Sequence, residues 1–567
     1  MTDFIIALSV VFISAGLLLL VANQFGLPTV PTYIAAGVLS GPVVAEGALL
    51  ELALWGIAFL VFVFGTRVDL GALQSVLRDG EVAAITQLAV VAPIAFAVGF
   101  GLLTTFGVED PVRNAIYFSV AATLSSTLVG GRILAEEIRT NLVYGRLASA
   151  THFFDDIVAI GVLLILSADV LTDAQLITSN IGYGVLFLLA GWVIYRHGFA
   201  LLVRLADGGE ELVLMGSISI LIAFLAAAEA VGISIVVGAF AAGIAVRLEG
   251  VESLGVRNGV ESIKDFFSAI FFVTVGALLT VPGVEVLVLA GALIGLVAIV
   301  NPLVHTATFT IEGYDGRSAF LASSSLNQVS EFTLVVAIQA LLLGTITDAL
   351  FEAIILAAAV TMVLSSVTNR YEHVLYDRLI SPVFGDGRGR IEARSSVPAA
   401  IDDHVVVVGY GRQGRRIVET LEELSVPYIV IENDPVHSTQ LERHCENFVF
   451  GDAMAAYPLE LAGVSRASLI VSTTSYQPVS ERLLTVETAA PIILRADGSP
   501  TARTLLDKGA LFVAVPSVLA SDRLVEHIER VLEDDGEREA LRQDHREYLK
   551  AVELEGELVG QGALDVY

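Results

Sequence analysis

Lysine is almost absent from this chain: Lys264, Lys508 and Lys550 are the only three among 567 residues. Cysteine occurs once, at Cys445, which excludes an internal disulfide framework and any cysteine-based metal site. Charge of either sign is sparse, 16% of residues against 55% hydrophobic. A water-soluble protein of this length could not cover its surface with so few charges, so much of its apolar surface must face lipid. Positive charge is the scarcer kind: 32 Lys and Arg stand against 61 Asp and Glu, a net −29, which argues against nucleic acid as a partner. The acid excess is heaviest in the C-terminal third, a composition expected of a surface that works in concentrated salt. Met1-Thr2-Asp3 lacks the basic flank of a signal peptide, so the first apolar run is expected to stay as a mature span.

What is present is a series of apolar runs. A hydrocarbon core of about 30 Å needs about 20 apolar residues per helix. Runs near 4–23, 30–49, 51–66, 82–104, 114–134, 145–168, 181–203, 211–229, 233–247, 266–281, 284–305, 317–342 and 349–369 give thirteen expected transmembrane helices. Arg67, Arg78, Arg132, Arg139, Arg146, Arg196, Arg204, Arg247, Arg257, Lys264, Arg317, Arg370 and Arg378 all fall in loops or helix ends on one side, with Arg113 the exception on the other. Basic loops stay cytoplasmic, so the pattern predicts an outside N-terminus and a cytoplasmic C-terminus in the cell membrane.

Two of these runs are interrupted by polar residues. The fifth reads Ala121-Ala122-Thr123-Leu124-Ser125-Ser126-Thr127-Leu128-Val129-Gly130-Gly131, and the twelfth reads Ala322-Ser323-Ser324-Ser325-Leu326-Asn327-Gln328-Val329-Ser330-Glu331-Phe332. They lie seven spans apart and so run in opposite directions, which is the sequence pointer to inverted repeats with two broken helices and a midplane site. Unwound backbone there is expected to offer carbonyls and half-helix ends to an ion. The candidate ion- and proton-binding residues in the two breaks are Thr123, Ser125, Ser126, Thr127, Asn327, Gln328 and Glu331, to which Asp155 and Asp156 of the sixth run and Asn301 of the eleventh are added. Helix-end packing accounts for Glu331 as well as transport does. The sixth run supplies His152-Phe153-Phe154-Asp155-Asp156-Ile157, two adjacent carboxyl groups in an apolar helix. Acids at that depth are costly and usually functional. Such a carboxylate can hold a proton or a bare monovalent cation, but not easily both.

The paired acids after an aromatic residue, the two polar breaks and Gln328-Val329-Ser330-Glu331-Phe332 resemble the second family of monovalent cation:proton antiporters. That resemblance implies an exchanger of sodium or potassium for protons, a homodimer, and Asp156 as the main carrier beside Asp155. Potassium-efflux relatives commonly have Gln at the first acid, so Asp155 leans toward the sodium type. Electrogenic relatives usually place a lysine in the span before the second break. Asn301, within Ala298-Ile299-Val300-Asn301-Pro302, stands in that place. The resemblance therefore leaves both the ion and the charge stoichiometry open.

Beyond Arg370 a polar linker with Gly385, Gly387 and Gly389 leads to His404-Val405-Val406-Val407-Val408-Gly409-Tyr410-Gly411-Arg412-Gln413-Gly414. A strand, a G-x-G-x-x-G turn and a helix in that order form a dinucleotide fingerprint, and Glu432, about twenty residues on, can bind ribose hydroxyls. Further β-rich runs alternate with helical ones, which predicts a doubly wound α/β domain. The glycines, Glu432 and Gly451-Asp452-Ala453 together resemble the regulator-of-potassium-conductance, or TrkA N-terminal, domain. The resemblance implies NAD(H) or an AMP-like nucleotide as regulator, held by Gly409, Gly411, Arg412, Gln413, Gly414, Glu432, Asn433, Asp452 and Ala453. The expected layout is a membrane domain at 1–370, a linker at 371–402, the nucleotide domain at 403–520 and an acidic helical tail at 521–567. A potassium channel would need a TVGYG-like filter, which is absent. A membrane dehydrogenase would need a substrate domain beside the nicotinamide, and no chain remains to build one, so no enzyme is expected.

Overall fold

The computed structural model describes residues 2–24, 28–41, 46–66, 73–134, 142–166, 174–206, 209–246, 254–376, 378, 395–397, 401–434 and 437–533, with the short stretches 538–539, 541–543 and 545–546. Arg67, Arg139, Arg247 and the linker glycines lie outside the described residues, as does most of the expected tail beyond Glu533. The chain divides into two units, Met1–Gly389 and Arg390–Tyr567.

The described part of the first unit is helical. Its helices are α1 (Thr2–Gln24), α2 (Thr29–Ser40), α3 (Glu46–Thr66), α4 (Leu73–Thr86), α5 (Ala92–Thr105), α6 (Pro111–Thr123), α7 (Thr127–Ile133), α8 (Val143–Leu166), α9 (Ala174–Val193), α10 (Phe199–Leu205), α11 (Glu210–Val231), α12 (Ile235–Ala245), α13 (Leu254–Ala277), α14 (Val284–Gly295), α15 (Asn301–Glu312), α16 (Gly316–Ser324), α17 (Glu331–Leu342) and α18 (Asp348–Leu375). Among the described residues, Leu49–Thr66, Gly80–Thr105, Gly182–Leu205, Glu210–Val231, Val284–Glu312 and Asp348–Glu372 are long and apolar enough to cross a membrane. Leu8–Gln24, Thr29–Ser40, Ile235–Ala245 and Glu331–Leu342 are shorter apolar helices.

The described part of each expected run is mostly helical, but the run at 30–49 does not form one span. α2 stops at Ser40, and Glu46 already begins α3. Apolar character alone did not mark that boundary, because it continues across Gly41-Pro42.

Local chemistry sets several ends. Asp110 caps α6 by accepting the Arg113 N–H at 3.3 Å, with Pro111 in the first turn. Asp315 caps α16 through the Ser318 N–H at 2.8 Å. Among the described residues, π-helical turns of five residues interrupt the spans at Gln87–Val91, Ile194–Gly198 and Leu296–Val300. The first and third lie in the spans that precede the two broken ones. Gly65 of α3 and Gly243 of α12 let those helices touch backbone to backbone, since a Cβ on either would overlap the other helix. That contact fixes Phe64 and Phe240 beside the candidate site.

The second unit holds a six-stranded sheet in the order β3-β2-β1-β4-β5-β6, parallel throughout. Its elements are β1 (Val405–Val408), α19 (Arg412–Glu423), β2 (Tyr428–Glu432), α20 (Ser438–His444), β3 (Phe448–Phe450), α21 (Ala456–Leu461), β4 (Leu469–Ser472), α22 (Gln477–Leu484), β5 (Ile492–Arg495), α23 (Ser499–Asp507), β6 (Phe512–Ala514) and α24 (Pro516–Glu533). Val405 and Val407 enter one core with Val418 and Leu441, and Val406 and Val408 the other with Leu459 and Leu483. Burial on both faces explains why β1 reads as four valines with no polar alternation. Ser396 pairs antiparallel with Phe448, and the Ser395 hydroxyl accepts the Phe450 N–H at 3.0 Å. Residues expected in the linker thus cover the β3 edge, where unpaired backbone would otherwise remain.

Candidate functional site

α6 ends at Thr123 and α7 begins at Thr127, while α16 ends at Ser324 and α17 begins at Glu331. The two non-helical gaps cross each other. Ser125 and Val329 form an antiparallel bridge, and the Ser330 N–H donates to the Leu124 carbonyl at 3.1 Å. Four half-helix ends therefore meet at one point, two presenting carbonyls and two presenting N–H groups that have no partner within their own helix.

The carbonyl end of α6 is already occupied. Asn301 Nδ2 donates to Ala122 O at 2.9 Å, and Gln87 Nε2 donates to Thr123 O. Thr123 Oγ1 turns back to Ser119 O at 2.7 Å. Gln328 Nε2 reaches Ser126 O at 3.0 Å and Ser325 O at 2.8 Å, and its Oε1 accepts the Ser365 hydroxyl at 2.9 Å. The Val329 N–H donates to Thr361 Oγ1 at 3.1 Å, so α18 holds the second gap from behind. Neutral amides and backbone thus take the carbonyls expected to face an ion. Asn301 points at the end of α6.

The three acids divide the remaining groups. Neighbours on a helix point about 100° apart, and Asp155 and Asp156 follow that rule. Asp155 is buried at the first gap, where its Oδ2 accepts the Ser125 N–H at 2.9 Å and the Ser125 hydroxyl at 2.5 Å. Asp156 is half-buried, accepts the Thr127 hydroxyl at 2.8 Å and lines a cavity of about 160 Å³. Phe64, Phe240, Phe332, His152, Thr127 and Gly131 share that lining. Glu331, wholly buried, accepts the Leu128 N–H at 3.1 Å and the Ser126 hydroxyl. Asn327 is buried nearby, and its Oδ1 has no hydrogen bond among the described residues.

The sequence reading missed Gln87, which serves the carbonyl end of α6, and gave no role to His152. An amide in an apolar span was the available signal for Gln87. His305 is buried, with its ring stacked near that of Phe309.

In the second unit the three motif glycines have separate jobs. Gly409 has φ +94°, a left-handed value that disfavours a side chain. A Cβ on Gly414 would overlap the Gly409 carbonyl, so this glycine lets α19 pack onto β1. Gly411 begins α19 with no side-chain cap and open space before it, leaving N–H groups available to a phosphate. Glu432 does not project freely: Oε2 accepts the Tyr410 N–H at 2.6 Å, and Oε1 accepts those of Asn433 and Asp434 at 2.9 and 2.8 Å. Asp452 Oδ1 accepts the Met454 N–H at 2.9 Å, and Ala453 is buried. Gln413 is bound by Arg495 at 3.2 Å on the rim of a groove of about 420 Å³ between α19 and β4–β6, while Arg412 is exposed. The strand order reverses between β1 and β4, where ligands of such sheets bind.

Residues 8–370 match the family described as sodium/hydrogen exchanger, transmembrane, and residues 405–516 match the TrkA-N domain. A putative K(+) efflux antiporter, KefB, from Alkalimonas amylolytica is 26% identical over 88% of this chain and 78% of its own length. The putative cation/proton antiporter YbaL of Escherichia coli is 26% identical over 81% of this chain and 84% of its own. The sodium proton antiporter MjNhaP1 of Methanocaldococcus jannaschii covers 66% of this chain and 99% of its own, at 14% identity and a TM-score of 0.49. The chain belongs to the sodium/hydrogen exchanger family of cation:proton antiporters and carries a TrkA-N domain after its membrane unit.

Proposed function

We propose that this protein exchanges a monovalent cation, sodium or potassium, for protons across the cell membrane, with nucleotide binding to its TrkA-N domain as the regulator. One observation carries the reading: two adjacent acids at the crossing of two broken helices are turned apart, one enclosed and one facing a cavity. Asp156, with Thr127 Oγ1 beside it, is the exchanging carboxylate. A cation entering the cavity competes with its proton, and burial in an apolar span keeps both from being held at once. Asp155, Ser125, Ser126, Gln328 and Glu331 hold the crossing in shape, and Asn301 secures the α6 end. Asn327 belongs to the same cluster. A homodimer with an outside N-terminus and a cytoplasmic TrkA-N domain fits the loop charges and the family.

The paired acid supports sodium, and the printed name of the KefB relative supports potassium. Proteoliposomes with an internal pH dye, given sodium, potassium or lithium with and without an imposed voltage, decide the ion and the stoichiometry. Cation-driven proton flux that survives Asp156→Asn would remove the exchange mechanism. For regulation, titration calorimetry with NADH and AMP is the test. Gly411→Asp fills space that no protein atom occupies and is expected to abolish binding.

A further inference from the structure

Asp155 and Asp156 sit in different surroundings, and one side chain joins them. His152 lies one turn before the pair on α8 and is buried at 2% exposure. Its Nδ1 is 3.0 Å from Ser125 Oγ, and that same hydroxyl donates to Asp155 Oδ2. The ring also lines the cavity that holds Asp156. Its Nε2 is buried and has no hydrogen bond among the described residues. Gly130 makes room for that nitrogen, since a Cβ there would overlap it. The titratable groups around the ring are Asp155 and Asp156 on its own helix, Glu331 of α17 and His305 of α15.

We propose that His152 is a relay residue that carries protons between the Asp156 cavity and the enclosed Asp155. This rests on the exchange reading above and gives Asp155 a route that the cavity alone does not offer. In the inward step a water from the cavity, admitted past the ring that lines it, gives one proton to the enclosed Nε2. Nδ1 then passes its own proton to Ser125 Oγ, and the Ser125 hydroxyl proton moves to Asp155 Oδ2. One proton enters, one carboxylate is neutralised, and the ring is left as its other neutral tautomer. The outward step is the same sequence reversed. Imidazole suits this because its two nitrogens can exchange roles within one ring.

The test follows Asp155 directly. Time-resolved infrared spectroscopy of the full chain in lipid after a pH jump reads the carboxylic C=O band, assigned to Asp155 by its loss in Asp155→Asn. His152→Gln keeps a hydrogen-bonding side chain but cannot pass a proton through. It is expected to slow the Asp155 band by about a hundredfold or more, the scale of a lost acid–base group. His152→Leu should slow the band as much, and a normal melting temperature in either variant excludes misfolding. An Asp155 band as fast in a folded His152→Gln protein as in the parent overturns the relay. A parent protein with no cation-driven flux sinks the exchange reading instead, and the infrared rates still judge the relay.

Discussion

Glu331, the first residue of α17, closes the N-terminus of α7: its Oε1 accepts the Leu128 N–H at 3.1 Å across 203 residues of sequence. Its Oε2 takes the Ser126 hydroxyl. One carboxylate thus lies at the positive ends of two half-helices, where a negative charge is stabilised.

Glu331→Ala should therefore act on stability. It leaves a buried N–H and a buried hydroxyl without their acceptor, a loss of about 3 kcal/mol. Thermal unfolding in detergent is the measurement. Glu331→Gln retains one acceptor oxygen and should lose less, with the apparent cation affinity kept. A large affinity loss in a folded Glu331→Gln protein would make this acid an ion ligand.

Thr127→Val should weaken cation exchange without emptying the cavity. The Thr127 hydroxyl is the donor that holds Asp156, and bonds to charged groups contribute about 1.5–3 kcal/mol. The concentration of cation giving half-maximal flux should shift by about tenfold or more. An unchanged concentration dependence would separate Asp156 from the cation.

Glu432 makes the second unit sensitive to pH. Burial pushes its carboxyl above the ordinary range, opposed by His437 and by the Tyr410 and Asp434 N–H groups. The folded carboxyl holds its proton to higher pH than the unfolded one. Its contribution is therefore full below the unfolded value, near 4.3, and is lost as pH rises through the folded value. The melting midpoint of the TrkA-N transition in the full chain should fall over that window, and Glu432→Gln should flatten the fall. A parallel slope in the variant would assign the pH dependence to other groups.

Cys445 should be inert while its unit is folded. Burial pushes the thiol up to about 11, and it is only 7% exposed. At neutral pH a maleimide should label it slowly in native buffer and fully in denaturant, because the thiolate is the reactive form. Rapid native labelling would show that the β2–β3 side opens readily.

The sequence made some features of this fold easy to find and hid others. Both helix breaks were visible because Ser and Thr are dense at 121–131 and 322–332, where apolar residues would otherwise continue. The nucleotide motif was visible because its three glycines answer strictly local needs. Glu331 could not be assigned, because its partners Ser126 and Leu128 are distant in the chain. Gln87, and the partner of Asn301, were hidden for the same reason: both amides serve carbonyls of α6, a target that only packing brings near. Residues 395–397 read as linker because backbone pairing, which edge residues share with any sequence, leaves no side-chain pattern.

The bridge between Ser125 and Val329 and the bond from Ser330 to Leu124 have one more consequence. Two gaps that look like weak points in separate helices are stitched into a single cross, with Asp155, Glu331, Gln328 and Thr361 as its fastenings. Neither half can bend without the other. Any motion that exposes Asp156 first to one side and then to the other must carry this cross as a solid piece. The sliding then belongs to smooth surfaces beside it, such as the phenylalanine-lined wall contributed by α3 and α12.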